Sequence, residues 1–87
     1  MTTTFSTIAF KAIVTRYLGP TDRRGSRVKA IDGDGNTVTL SWDSSINSLP
    51  NHHRAAAALC AKMGWKGRMV SGKTRDGYVH VWDEEAR

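Results

Sequence analysis

The residues with chemistry to offer are few: three histidines (His52, His53 and His80), one cysteine (Cys60), and a cluster of acids around a glycine-rich turn. His52 and Cys60 are eight apart and could share one side of a helix. No pair among these soft ligands has the tight Cys/His spacing of a structural zinc site. Asp32, Asp34, Asn36 and Asp43 stand at positions 1, 3, 5 and 12 of a calcium loop. Thr37 takes the position that needs glycine, and Asp43 is a weaker last ligand than a bidentate glutamate, so the stretch reads as a hairpin turn. Gly19-Pro-Thr-Asp-Arg-Arg-Gly25-Ser26 has two glycines near basic residues. It lacks the glycine spacing, the following lysine and the following helix of a phosphate-binding loop. Cys60 sits among alanines, where a thiol is ordinarily inert packing. No glycine-flanked serine elbow or paired acid carboxylates appear. The expectation is a chain with no catalytic residues, no metal and no cofactor.

Basic side chains are the stronger signal. Arg23-Arg24-Gly-Ser-Arg27-Val-Lys29 is a basic loop running into a strand, and Arg16 precedes it. Lys66, Arg68, Lys73 and Arg75 mark a second hairpin near the chain end. Arginine pairs bidentately with carboxylate or phosphate, so such a patch suits a nucleic-acid backbone or an acidic protein surface equally. The plainer explanation is that loops and open faces collect lysine and arginine for solubility. Arg23, Arg24, Arg27 and Lys29 are the expected contact residues, with Lys73, Arg75 and Tyr78 second. Tyr78, His80 and Trp82 alternate on one face, which could stack bases or anchor a partner if exposed.

Strand and helix periods must position these groups. Residues 8–18, 27–31 and 37–42 read as strands; Val38, Leu40 and Trp42 alternate with Thr37, Thr39 and Ser41. Asp32-Gly-Asp-Gly-Asn36 turns the second strand into the third. A helix is expected from Pro50 to Met63, capped by Ser48 or Asn51 and stopped by Gly64. Ala55, Ala56, Leu59, Cys60 and Met63 form its apolar stripe. Residues 66–71 and 78–82 read as a final hairpin around loop 72–77. The order β-β-β-α-β-β predicts an α+β domain of two layers. One helix would pack on one face of an antiparallel sheet of four or five strands, leaving the other face open. Trp42 and Trp65 are expected at the sheet–helix boundary.

Eighty-seven residues make one domain with a small core; residues 1–7 and 83–87 are expected to fray. Net charge is +5, and residues 1–82 alone hold twelve bases against five acids. No apolar run is long enough for a membrane helix, the N-terminus lacks a signal pattern, and one cysteine suits a reducing compartment. These point to a cytoplasmic chain without membrane contact.

The run from Tyr17 to Ala30, Asn51-His52 ahead of an alanine-rich helix, and Gly77-Tyr-Val-His-Val81 together resemble small uncharacterised proteins of bacteria and their mobile elements. In size and sheet-plus-helix outline the chain also looks like anti-CRISPR proteins. The resemblance implies a small non-enzymatic protein that inhibits or modulates a bacterial nucleic-acid-handling complex by occupying a surface. Direct, sequence-independent nucleic-acid binding is the alternative.

Overall fold

A computed structural model describes residues 2–5 and 11–83. Its elements are β1 (Ala12–Leu18), β2 (Arg27–Asp32), β3 (Thr37–Ser41), α1 (Ser48–Met63), β4 (Met69–Lys73) and β5 (Gly77–Trp82). The strands form one antiparallel sheet in the order β3-β2-β1-β5-β4, with α1 across one face. The expected two-layer α+β architecture is therefore present, with five strands. The part of the first strand expected at residues 8–10 lies outside the described residues, as do the expected frayed residues 6–7 and 84–87.

Alternation decides which side chains meet the helix. Ile13, Thr15 and Tyr17 of β1 share the helix side with Val28, Ala30 and Asp32 of β2 and with Tyr78 and His80 of β5. Ile13, Val28 and Ala30 are buried there against Ala55, Ala56 and Leu59 of α1. Alanines on both surfaces let the helix approach closely, and Trp42, Met63, Trp65 and Met69 close the rim.

The ends of α1 differ from expectation at one terminus. It begins at Ser48, two residues early, and Asn47 holds the cap position without a side-chain cap bond. Asn51, expected as a cap, is fully buried and ties down the preceding loop instead. Its Oδ1 accepts from the Asp43 N–H at 2.9 Å, and its Nδ2 donates to the Asp43 carbonyl at 2.9 Å. Gly64 ends the helix in the left-handed region (φ 74°), with Trp65 N–H returning to the Cys60 carbonyl at 2.9 Å.

The last hairpin sits further along the chain than expected, with a shorter loop. β4 pairs through Lys73, so Gly72 and Lys73 belong to the ladder and residues 74–76 form the turn. The β2–β3 turn matches the hairpin reading. Asp32 accepts from the Asp34 and Asn36 N–H groups at 2.9 Å each and from Asn36 Nδ2 at 2.8 Å. The Asn36 side-chain bond leads in holding its carboxyl below the usual range. Asp43, twelfth in the calcium-loop spacing, follows the far end of β3, away from this turn. Asp83, expected to fray, donates its N–H to the Arg68 carbonyl at 2.9 Å.

Candidate functional site

The strand ends gather the basic residues at one pole of the sheet. The end of β1, the starts of β2 and β5, and the ends of β3 and β4 lie together, because Leu18 pairs with Arg27, Arg27 with Ser41, Arg16 with Gly77 and Lys73 with Tyr78. Arg16, Arg23, Arg24, Arg27, Lys29, Lys73 and Arg75 all belong to this pole. Among the described residues none of the seven has a carboxylate within ion-pair distance; the ion pairs are Lys11 with Asp32 and Asp34, and Arg68 with Asp83.

The seven divide between two sides. Arg16, Arg27 and Lys29 project from the face that α1 leaves open, and Arg16 stands directly opposite Lys29. Like charges in that position repel. Arg24 and Arg27 share a cleft of about 500 Å³ with Ser26, Ser41 and Ser44. The loop carrying Arg23 and Arg24 is held in place. Thr21 Oγ1 accepts from the Arg24 N–H at 3.1 Å, Thr21 N–H donates to the Arg24 carbonyl at 2.7 Å, and the Tyr17 hydroxyl meets Ser26 Oγ at 2.8 Å. Gly25 has open space around it. Arg27 keeps its Nε buried with no acceptor among the described residues.

Lys73, Arg75 and Tyr78 lie away from Arg27 and Lys29 but share a cleft with Arg16. Lys73 and Tyr78 lie on the helix side by register, and Lys73 Nζ donates to the Thr74 carbonyl at 2.7 Å, 5.1 Å from the Tyr78 ring centre. Two hairpins thus supply cations to one end of the molecule, where Arg16 links the two groups. The face of Tyr78, His80 and Trp82 is likewise covered: His80 is 1% exposed.

The sheet–helix interface holds a feature that sequence reasoning missed, a hydrogen-bonded file of five side chains. His52 Nδ1 lies 2.8 Å from Thr15 Oγ1, Thr15 Oγ1 2.9 Å from His80 Nε2, His80 Nδ1 2.8 Å from Ser71 Oγ, and Ser71 Oγ 3.1 Å from His53 Nε2. Each hydroxyl has one proton to give, and each neutral imidazole has one donor and one acceptor nitrogen. The file is therefore satisfied in two directions. Either His53 donates at one end and His52 accepts at the other, or every bond reverses; when both rings donate to Thr15, its hydroxyl has the Tyr78 carbonyl as acceptor at 3.4 Å. The sequence signal was present in outline: Thr15 and His80 occupy core-facing positions of otherwise apolar alternations.

Burial, more than the neighbouring His53 and His52, pulls the His80 pKa down to about 4; burial likewise lowers that of His52. An unfolded histidine takes up its proton near pH 6.5, so between pH 6.5 and 4 the unfolded chain binds more protons than the folded one. Stability should therefore be full above pH 6.5 and fall as the pH drops toward 4. His80 alone accounts for about 3 kcal/mol over this range. Urea unfolding at pH 7, 5.5 and 4 checks this, and His80→Gln should flatten the dependence.

Beside the file lies a half-open apolar cavity of about 420 Å³, walled by Cys60, Trp65, Met69 and Trp82, with His53 and Ser71 at its polar end. Burial raises the Cys60 thiol pKa, which keeps it protonated and weakly nucleophilic. Ser71 Oγ adjoins a base in His80, but one of strongly lowered proton affinity.

Compared with family models, curated proteins and solved structures, the chain matches none. Among the described residues no helix is long and apolar enough to cross a membrane.

Proposed function

We propose that the chain is a small non-enzymatic binding protein that docks its open sheet face on a protein surface both apolar and acidic. In this reading the partner belongs to a bacterial nucleic-acid-handling complex, and the chain inhibits or modulates it by occupation, as anti-CRISPR proteins do. The observation that carries the reading is the division of the open face. Val14 lies beside Ile31 and Val79, and Val81 beside Ala12 and Val70, as one apolar field; Val14 is 40% and Val70 45% exposed. Arg16, Lys29 and Arg27 border it on the same face. Among the described residues no element covers either half. An apolar centre with a charged border is the anatomy of a protein–protein interface, and carboxylates on the partner would relieve the Arg16–Lys29 repulsion. A single free cysteine, Cys60, suits a cytoplasmic setting.

Direct nucleic-acid binding is the second reading, favoured by the seven cations and the serine-lined cleft of Arg24 and Arg27. A gel shift with generic duplex DNA and RNA at low salt separates the two. Docking on protein predicts no shift. Micromolar binding, with log affinity falling by several units per decade of salt, makes the phosphate backbone the ligand instead.

A further inference from the structure

The helix side of the cationic pole holds a second cleft, of about 360 Å³, between the start of α1 and the β4–β5 turn. Arg16, Ser48, His52, Lys73, Arg75 and Asp76 line it, beside the Tyr78 ring. The first turn of α1 contains no acidic residue and its cap side chain makes no bond; Pro50 has no N–H and the Asn51 N–H donates to the Asn47 carbonyl, so the Ser48 and Leu49 N–H groups are the free donors of that turn, and Ser48 lines the cleft. Lys73 is fixed at the wall by the Thr74 and Gly77 carbonyls. His52 supplies an independent observation. It is only 2% exposed, spends Nδ1 on Thr15, and its Nε2 has no hydrogen-bond partner among the described residues; yet the side chain lines the cleft. Among the described residues Arg27 Nε is the one side-chain nitrogen or oxygen sealed from solvent without a partner, so His52 Nε2 keeps access to solvent, and His52 lines the cleft. Arg16, which also borders the open face, lines this cleft; Arg24, Arg27 and Lys29 do not.

We propose that this cleft binds a phosphate dianion, free or as a monoester, with His52 Nε2, the α1 N-terminus, Lys73 and Arg75 as its donors. A tetrahedral dianion matches converging N–H and ammonium donors, and the cleft is roomy enough to take an ester substituent as well. Binding would also set the direction of the five-residue file. With its proton on Nε2, His52 must accept at Nδ1 from Thr15. Thr15 then accepts from His80, His80 from Ser71, and Ser71 from His53. The ligand in the cleft thereby determines which nitrogen of His53 carries the proton, at the mouth of the apolar cavity on the other side of the helix.

Inorganic phosphate and phenyl phosphate, titrated separately into the ¹⁵N-labelled protein at constant ionic strength, test this. Expected are saturable shifts of the His52 ring nitrogens, a proton on His52 Nε2, and transmitted shifts at His80 and His53. Equal affinities for the two probes identify free phosphate as the ligand; tighter phenyl phosphate identifies a monoester. Lys73→Gln/Arg75→Gln, which changes exposed side chains, should weaken binding at least tenfold. Asp76→Asn removes the one carboxylate of the cleft and should strengthen it. Shifts that never saturate, or an affinity unchanged in the double variant, would overturn the proposal. Either result leaves the open-face docking untouched, because the substituted residues Lys73, Arg75 and Asp76 lie outside that surface, although Arg16 is common to both.

Discussion

Gly77→Ala should be the most damaging single substitution in the sheet. A Cβ at Gly77 would stand 1.9 Å from the Thr15 carbonyl oxygen and 2.9 Å from its carbonyl carbon. Both are backbone atoms of the central strand, so no side chain can swing away to relieve the contact. β5 would have to shift off β1, disturbing the ladder from Ala12–Val81 to Arg16–Gly77 and with it the seat of His80. Overpacking a core costs about 1–3 kcal/mol when side chains can adjust. Here the backbone must move, so about 3 kcal/mol or more is expected, against about 4–13 kcal/mol for a domain of this length. The melting temperature should fall by roughly 12–24 °C. Gly72→Ala is the control. Its added Cβ meets only Val79 Cγ1 at 3.5 Å, ordinary contact, and its melt should stay close to the unsubstituted protein. A Gly77→Ala protein melting within a few degrees of the parent would show that the β1–β5 approach is looser than described.

Thr15→Val should be nearly as costly, by a different route. Valine keeps the shape of threonine and removes only the hydroxyl. That hydroxyl is the partner of His52 Nδ1 and of His80 Nε2, and both rings are buried. Two ring nitrogens left without partners cost about 1–3 kcal/mol each. The expected loss is about 2–6 kcal/mol by urea unfolding at pH 7. Thr15→Ser keeps the hydroxyl and loses one methyl, so it should cost about 1 kcal/mol. If valine were as well tolerated as serine, the file of side chains would not be a single hydrogen-bonded unit.

Much of the architecture was legible because period-2 alternation and one alanine-rich amphipathic stretch are local signals. Val38, Leu40 and Trp42 declare a strand within six residues, and Asp32-Gly-Asp-Gly-Asn36 declares its turn. The histidine file was not legible, because its links join residues far apart in the chain. Thr15 meets His52 and His80 only once α1 lies on the sheet, and no spacing rule connects them. Seen singly, each histidine invites a metal-ligand reading, and Thr15 reads as an ordinary strand residue. The helix start was misread for a related reason. Proline suits a first turn, but Asn51 is drawn inward by the Asp43 backbone, and the helix begins ahead of Pro50. In the sequence the basic residues form two groups, the Arg23–Lys29 loop and the last hairpin. Only the register, with Arg16 opposite Lys29 and Lys73 opposite Tyr78, shows that they serve two sides of one pole.

The docking account is tested most directly by capture from nuclease-treated bacterial lysate with three forms of the protein: unsubstituted, Arg24→Glu/Arg27→Glu, and Val14→Gln. Arg24 and Val14 are exposed and Arg27 is partly buried with its Nε enclosed, so circular dichroism verifies the fold of each variant before capture. The account predicts one stoichiometric protein partner that withstands nuclease with the unsubstituted chain and is lost with both variants. A partner retained by the charge-reversed variant, or captured material that disappears on nuclease treatment, would contradict it.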